Sequence, residues 1–333
     1  MSIIHQLAAD AGFSACFVLP PDPFFHYERR LLGGACAVVD ADAENPRTVE
    51  HFPGLNTLDS AGQNLVVDPR KAAPWGNALL FLIVGYRPYV RESGVSGNYP
   101  SSNTAFHAAD DLIGKLNENG IRAERIYVPV RELALRTGIG IACKNGLTAY
   151  QGFGTRVAVQ TLIVSAPEPV RYDAKTRYGE HRTCPEECRV CESVCPSHAI
   201  HDGGMHVLEC ARKWMQKDAM EDWVMDAMES ILGCELCQFA CPLNSEIPLD
   251  DDVPDAFDLE RLLRNDVKPA LEIVGKNINP GGRIVAHAIV LAAHGGRRDL
   301  IPLIEPYLAD ERPAVQSAAR YAIKKLASAE NTM

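Results

Sequence analysis

Apolar positions along this chain recur with two periods, and the changes between them mark out its elements. "IIHQLAADAGF", residues 3–13, carries apolar residues at helical spacing and predicts a helix stopping at Gly12. "NALLFLIVGY", residues 77–86, is an unbroken apolar run of strand length and predicts a strand buried on both faces. "AFHAADDLIGKLNENG" returns to the helical period and closes at Gly120. "RAERIYVPV" reads as a strand, "RELALRTG" as a helix capped by Gly138, and "RVAVQTLIVS" as a further strand. Helix and strand signals in alternation predict a mixed α/β layer structure over residues 1–175, with "APEPVRYDAKTRYGEHRT" as connecting chain.

Beyond it, "MHVLECARKWMQKDAMEDWVMDAMESILG" has a helical pattern, and "PLNSEIPLDDDVPDAFDLE" is acidic and proline-broken, a linker or wrapping segment. The tail repeats itself. "RIVAHAIVLAAHGG" and "RPAVQSAARYAIKKL" superpose Val285 on Val315, Ala288 on Ala318 and Ala292 on Ala322. "DLIPLIEPYLADERPAVQSAARYAIKKLA" resembles a HEAT repeat, whose small residues let neighbouring helices stack closely. Two units are too few for a free solenoid, so this tail is expected to rest on the segment before it. The division expected is therefore 1–175, 176–250 and 251–333.

Composition narrows the function classes. The chain has 333 residues, 47% hydrophobic and 23% charged, as a globular protein does. No apolar run reaches the roughly eighteen residues of a membrane span, and the first twenty lack a basic start and a long apolar core. No signal peptide and a cytoplasmic location are expected. A formal charge of -10 disfavours a general nucleic-acid coat.

Eight of the eleven cysteines lie between Cys184 and Cys241, whereas Cys16, Cys36 and Cys143 are scattered and read as buried small hydrophobes. Clustered thiols in a reducing compartment point to metal rather than disulfides. Cys188-x2-Cys191-x3-Cys195-Pro196 matches the end of a bacterial ferredoxin run, and Cys234-x2-Cys237-x3-Cys241-Pro242 repeats it. Cys184 opens the first group one residue early, and Cys210 stands between the groups. Eight thiols meet the demand of two [4Fe–4S] clusters. The crossing rule pairs Cys184, Cys188, Cys191 and Cys241 on one, and Cys195, Cys210, Cys234 and Cys237 on the other. Zinc, or one cluster with spare thiols, is the competing reading. "TGIGIACKNG" is no dinucleotide or phosphate loop: it follows a helix rather than a strand and lacks a Gly-Lys-Ser/Thr core.

Several ordered blocks, "VVDPRKAAPWGNALLFLIVGYRPY", "PVRELALRTGIGIACKNGL", the two cysteine groups closing on "CQFACPLN", and the tail, resemble the epoxyqueuosine reductase family, which is related to the reductive dehalogenases. The resemblance spans nearly the whole chain. It implies an α/β (α+β) cobalamin-binding domain of nitroreductase-like fold, a two-cluster ferredoxin-like domain and a HEAT-like helical tail. It further implies a base-off cobalamin reduced by the clusters, with Gly138, Gly140, Lys144, Asn145, Gly154 and Thr155 lining the corrin. The same glycines have a plainer reading as helix cap and turn.

One departure bears on chemistry. The family's proton-donating aspartate falls, by the same alignment of blocks, on Ile126, which cannot donate. Tyr127, if neighbours lower its pKa, and His107 are the remaining acid candidates; each also reads as an ordinary surface or strand residue. From Asp255 onward eleven Lys/Arg face ten Asp/Glu, so no basic excess marks a tRNA grip. The expected function is an iron–sulfur, cobalamin-dependent reductase of a small-molecule or modified-nucleoside substrate, fed by flavodoxin or ferredoxin. Genuine epoxyqueuosine reduction in tRNA, and an electron-transfer or corrinoid-activating partner protein, are the alternatives. No membrane partner is expected.

Overall fold

The computed structural model describes residues 2–24, 37–39, 49–51, 66, 68–168, 170, 183–217 and 219–328. Cys36 and most of the connecting segment expected at 166–183 lie outside them. The chain gathers into two compact units: Met1–Tyr86, Thr104–Arg189 and Ile200–Leu208 form one; Arg87–Asn103, Val190–Ala199 and Glu209–Met333 form the other. These units cut across the three consecutive segments expected from the sequence.

The first unit is mixed α/β. Its elements in chain order are α1 (Ile3–Asp10), β1 (Ala15–Leu19), β2 (Ala37–Val39), β3 (Val49–His51), α2 (Pro69–Ala72), β4 (Ala78–Gly85), α3 (Asn98–Glu118, counted here from Thr104), β5 (Ala123–Arg125), α4 (Val130–Arg136), β6 (Gly140–Ala142), β7 (Thr148–Tyr150), β8 (Val157–Val164), β9 (Ile200–His201) and β10 (Gly204–Met205). The main sheet has the order β1-β4-β8-β5 and every pairing in it is antiparallel. Successive side chains of a strand point to opposite faces, which explains the continuous apolar run of β4. Leu80, Leu82 and Val84 meet Ile4 and Ala8 of α1 and Ala105, Ala109, Leu112 and Leu116 of α3. Leu79, Phe81 and Ile83 meet Ile126, Leu133, Ala134 and Tyr150 in a second core.

The strand expected across residues 122–130 pairs only at Ala123–Arg125. Ile126 still donates its N–H to the Thr161 carbonyl at 3.1 Å. Pro129, which has no N–H, ends the extended run and α4 starts at once. Gly138 follows α4 at φ +72 and donates to the Leu135 carbonyl, the left-handed stop its sequence position predicts.

The second unit holds α5 (Val190–Ser193), α6 (Ala211–Trp214), α7 (Asp222–Asp226), α8 (Leu236–Phe239), α9 (Leu259–Leu263), α10 (Lys268–Val274), α11 (Arg283–His294), α12 (Ile301–Ile304) and α13 (Pro313–Ser328). The helical stretch expected at 205–233 is instead two short helices and irregular chain. Its methionines 215, 220, 225 and 228 still share one core with Val224 and Ile231, because looped chain can aim apolar side chains inward as well as a helix can. The same core takes Val285, Ala288, Ala292, Val315, Ala318 and Ala322, all 0% exposed. Within this unit the tail therefore packs on the cysteine-bearing segments. Of the two readings of the acidic segment, the wrapping one holds: Asp250 exchanges backbone hydrogen bonds with Pro88 and Val90 at 2.8 and 3.1 Å.

Candidate metal centre

Four thiols of the second unit converge. Cys195 ends the first cysteine group, Cys210 caps the start of α6, Cys234 precedes α8, and Cys237 lies within it. Burial is the largest cause of a raised pKa at Cys210, Cys234 and Cys237, and each is raised further by other sulfurs of the set. Cys234, held at about 11, feels Cys210 and Cys195. Cys237, pushed higher still, feels Cys234, Cys210, Cys191 and Cys195. Among the described residues no disulfide joins any of these cysteines.

Such a set is uncomfortable as thiolates in the absence of a cation, yet the backbone around it is arranged for negative sulfur. The Ala199 N–H reaches Cys195 Sγ at 3.3 Å, which is made accessible by His198 at φ +52. Backbone N–H groups of Arg212 and Lys213 serve Cys210, and that of Leu236 serves Cys234. The Arg212 guanidinium adds positive charge near Cys210 and Cys234. Amides and a cation aimed at sulfur are the outer shell of an iron–sulfur cluster, and they set its potential. The donor set thus fits a cubane. Ser197 ties the segments together: its hydroxyl accepts from the Ala211 N–H at 3.3 Å and lies 3.8 Å from Cys195 Sγ. Sequence reasoning passed over Ser197 and Arg212, whose signal is only their place within a few residues of a cysteine.

The other cysteines are carried on further segments. Cys191 lies buried on α5, which packs against α8, and Cys241 caps the turn that starts at Pro242, at φ -70 and ψ 122. That extended backbone is what a following proline imposes. In the first unit, Cys184 donates its N–H to the Ala142 carbonyl at 3.0 Å. Lys144 reaches the same loop, its ammonium donating to the carbonyls of Pro185 at 3.1 Å, Cys188 at 2.7 Å and Glu186. Lys144 therefore clamps the Cys184–Cys188 loop onto the chain after β6.

The other residues expected at the corrin fall in two classes. Gly138 has open space where a Cβ would stand. Gly140 is packed, since a Cβ there would lie 2.6 Å from Thr148 and 3.0 Å from Ala134. Asn145 is buried and accepts from the Leu147 N–H at 3.1 Å, shaping its own turn. Gly154 at φ +52 accepts from Tyr150, and Thr155 beside it is buried.

Ile126 is 5% exposed and belongs to the core. Tyr127 is half-buried, and its pKa is raised rather than lowered: burial dominates, Arg125 opposes it and Asp110 adds to it. Arg125 itself sits 4.0 Å over the Phe106 ring and pairs with Asp110 at 2.6 Å. His107 is exposed on α3, its ring against Phe106. Cys143 is buried as expected; Cys16 is only half-buried, though burial of its thiol still raises its pKa to about 12.

No family model matches the chain. It is 26% identical to an epoxyqueuosine reductase of Staphylococcus aureus over 215 residues, covering 60% of this chain and 54% of that protein. It is 25% identical to the epoxyqueuosine reductase of Bacillus subtilis over 214 residues, 59% of this chain and 53% of that one. The chain thus spans about half the length of the curated relatives it matches. In fold it resembles a crystal structure of epoxyqueuosine reductase with an epoxyqueuosine-modified tRNA-Tyr stem loop, at a TM-score of 0.70 and 20% identity. That match covers 98% of this chain and 91% of that one. The structure of epoxyqueuosine reductase from Streptococcus thermophilus is similar at a TM-score of 0.71, with the same coverage.

Proposed function

We propose that the chain is an iron–sulfur oxidoreductase of the epoxyqueuosine reductase type, carrying two [4Fe–4S] clusters that deliver single electrons to a base-off cobalamin. The convergence of Cys195, Cys210, Cys234 and Cys237, with amide N–H groups aimed at three of those sulfurs, carries this reading. Zinc, the competing occupant of four thiolates, passes no electrons, and the likeness in sequence and fold is to reductases. Cys184, Cys188, Cys191 and Cys241 are assigned to the partner cluster by the crossing of the two motifs. Lys144 then acts by positioning, holding the Cys184–Cys188 loop through three carbonyls.

Cobalamin supplies a metal centre able to reach a strongly reducing state. On the protein side, Gly138 and the buried turn at Gly154 and Thr155 offer backbone without bulk, which suits a large flat ligand. Gly140, Asn145 and Lys144 contribute by shaping that loop. Tyr127 holds its proton at neutral pH, but burial raises its pKa and makes it a weaker acid than the sequence reading required. The substrate is a small molecule or modified nucleoside, and the electron source a flavodoxin or ferredoxin. Queuosine formation in tRNA is the second reading, favoured by the stem-loop complex of the similar reductase. Service as an electron-transfer or corrinoid-activating partner is the third. Among the described residues no helix is long and apolar enough to cross a membrane.

The decisive experiment is anaerobic reconstitution with iron and sulfide. About eight irons per chain and cubane EPR signals on reduction are expected. Replacing Cys237 by Ser should remove one signal and about half the iron. Zinc at one or two equivalents in place of iron would overturn the reading.

A further inference from the structure

We infer that His201 and His206 form a two-imidazole site for a borderline divalent cation of the Zn2+, Ni2+ and Cu2+ class. The argument begins in "IHDGGMH", residues 200–206. Asp202 and Gly203 both have positive φ, +49 and +79, the backbone of a tight primed turn whose twist suits a two-residue hairpin. β9 and β10 pair across it with His201 opposite Gly204. Side chains two residues apart share a face, so Gly204 and His206 lie on the face that carries His201. Gly204 has no side chain, and the place opposite His201 is left for the ring of its diagonal neighbour. The two imidazoles accordingly stack, with centroids 3.7 Å apart and planes within 7°. Their ring nitrogens lie within 4.8 Å of each other.

The tautomer is set as well. His201 Nδ1 stands 3.0 Å from Asp202 Oδ2. Because a carboxylate only accepts, Nδ1 carries the hydrogen and Nε2 the lone pair. A carboxylate holding one imidazole nitrogen so that the other ligates is the usual outer support of a histidine metal site. The hairpin is also seated: Met205 packs so closely on Gly146 that a Cβ there would lie 3.0 Å from the Met205 Cβ. The parallel rings aim their lone pairs side by side, so chelation turns them out of the stack until one nitrogen of each meets the same ion, on a hairpin that is already braced; imidazole suits zinc, nickel and copper. Water completes the coordination. This site uses no cysteine.

The test is isothermal titration of untagged, cluster-loaded protein with Ni2+ and, separately, Zn2+ under anaerobic conditions. One equivalent is expected to bind in a phase that His201→Gln and His206→Gln each weaken at least about tenfold, with Asp202→Asn weakening it by about tenfold. Iron content should be unchanged in all three. A second readout needs no variant: Zn2+ should protect both histidines of the wild-type chain from diethylpyrocarbonate. Absence of the binding phase, its persistence in both histidine variants, or modification of both rings at saturating Zn2+ overturns the site.

Discussion

His287 ties two cysteine-bearing segments to the tail. It is 1% exposed, its Nε2–H donates to the Met215 carbonyl at 3.0 Å, and its Nδ1 accepts from the Leu232 N–H at 2.9 Å. Leu232 is itself in the left-handed region at φ +64, two residues before Cys234. Burial, assisted by Arg283 and opposed by the Met215 carbonyl, lowers the His287 pKa from 6.5 to about 4. The unfolded chain takes up this proton near 6.5 and the folded one does not, so the contribution is whole above that pH and is lost as pH falls toward 4. Its size is roughly 3 kcal/mol at 1.36 per pKa unit. Urea unfolding of wild type and His287→Gln should therefore converge as pH drops from 6.5 to 4; parallel curves would refute the assignment. None of this was legible beforehand. A histidine on an apolar helix face reads as one more core residue, and its partners lie 72 and 55 residues away in sequence. Ile126 is the reverse case, where the missing acid was visible in the sequence and the structure explains why no acid is tolerated. Ile126→Asp would bury a carboxylate beside Leu133 and Ile163 and should cost about 3 kcal/mol or more in thermal and urea unfolding.

Among the elements, legibility followed the strength of the period. β4 was readable because a strand covered on both faces must be apolar throughout, and α3 because Ala105, Ala109, Leu112 and Leu116 keep helical spacing. The stretch 205–233 was misleading. Its methionines imitate a helix face, but hairpin, turn and two short helices place them in the same core. In the tail the superposed small residues held their meaning: α11 and α13 pack together, with Ala288 and Ala318 fully covered. Close helix approach depends on those side chains staying small. Ala318→Leu should overpack this contact and cost about 1–3 kcal/mol, read as a lower melting temperature, whereas Ser317→Ala, at a half-buried position, should change it little. Equal melting of the two variants would show that α11 and α13 are loosely joined.

At the scale of the molecule, charge and core point to a bracing tail rather than a gripping one. The near balance of charge after Asp255 is realised as local pairs: Arg264 with Glu260 and Arg297 with Asp299 at 2.6 Å, Arg312 with Asp310 at 2.8 Å. A phosphate backbone would have to compete with carboxylates already in place, and surface pairs like these add little stability of their own. The hydrophobic core tells the other half. Met215, Val224, Met228 and Ile231 of the cysteine-bearing stretch are covered by Val285, Ile289, Val315 and Ala318 in one continuous cluster. Removing the tail exposes that face and deletes His287, which holds the chain near Cys210 and Cys234. A chain ending at residue 250 is therefore expected to lose the iron bound through Cys210, Cys234 and Cys237 after anaerobic reconstitution. A full-length chain carrying Arg297→Ala and Lys324→Ala should keep it, because both side chains are exposed and paired only at the surface. Iron and sulfide analysis of the two proteins separates the roles. If the shortened chain retained its full complement of iron, the tail would have to be explained by a binding partner instead of by support of the cysteine-bearing segments.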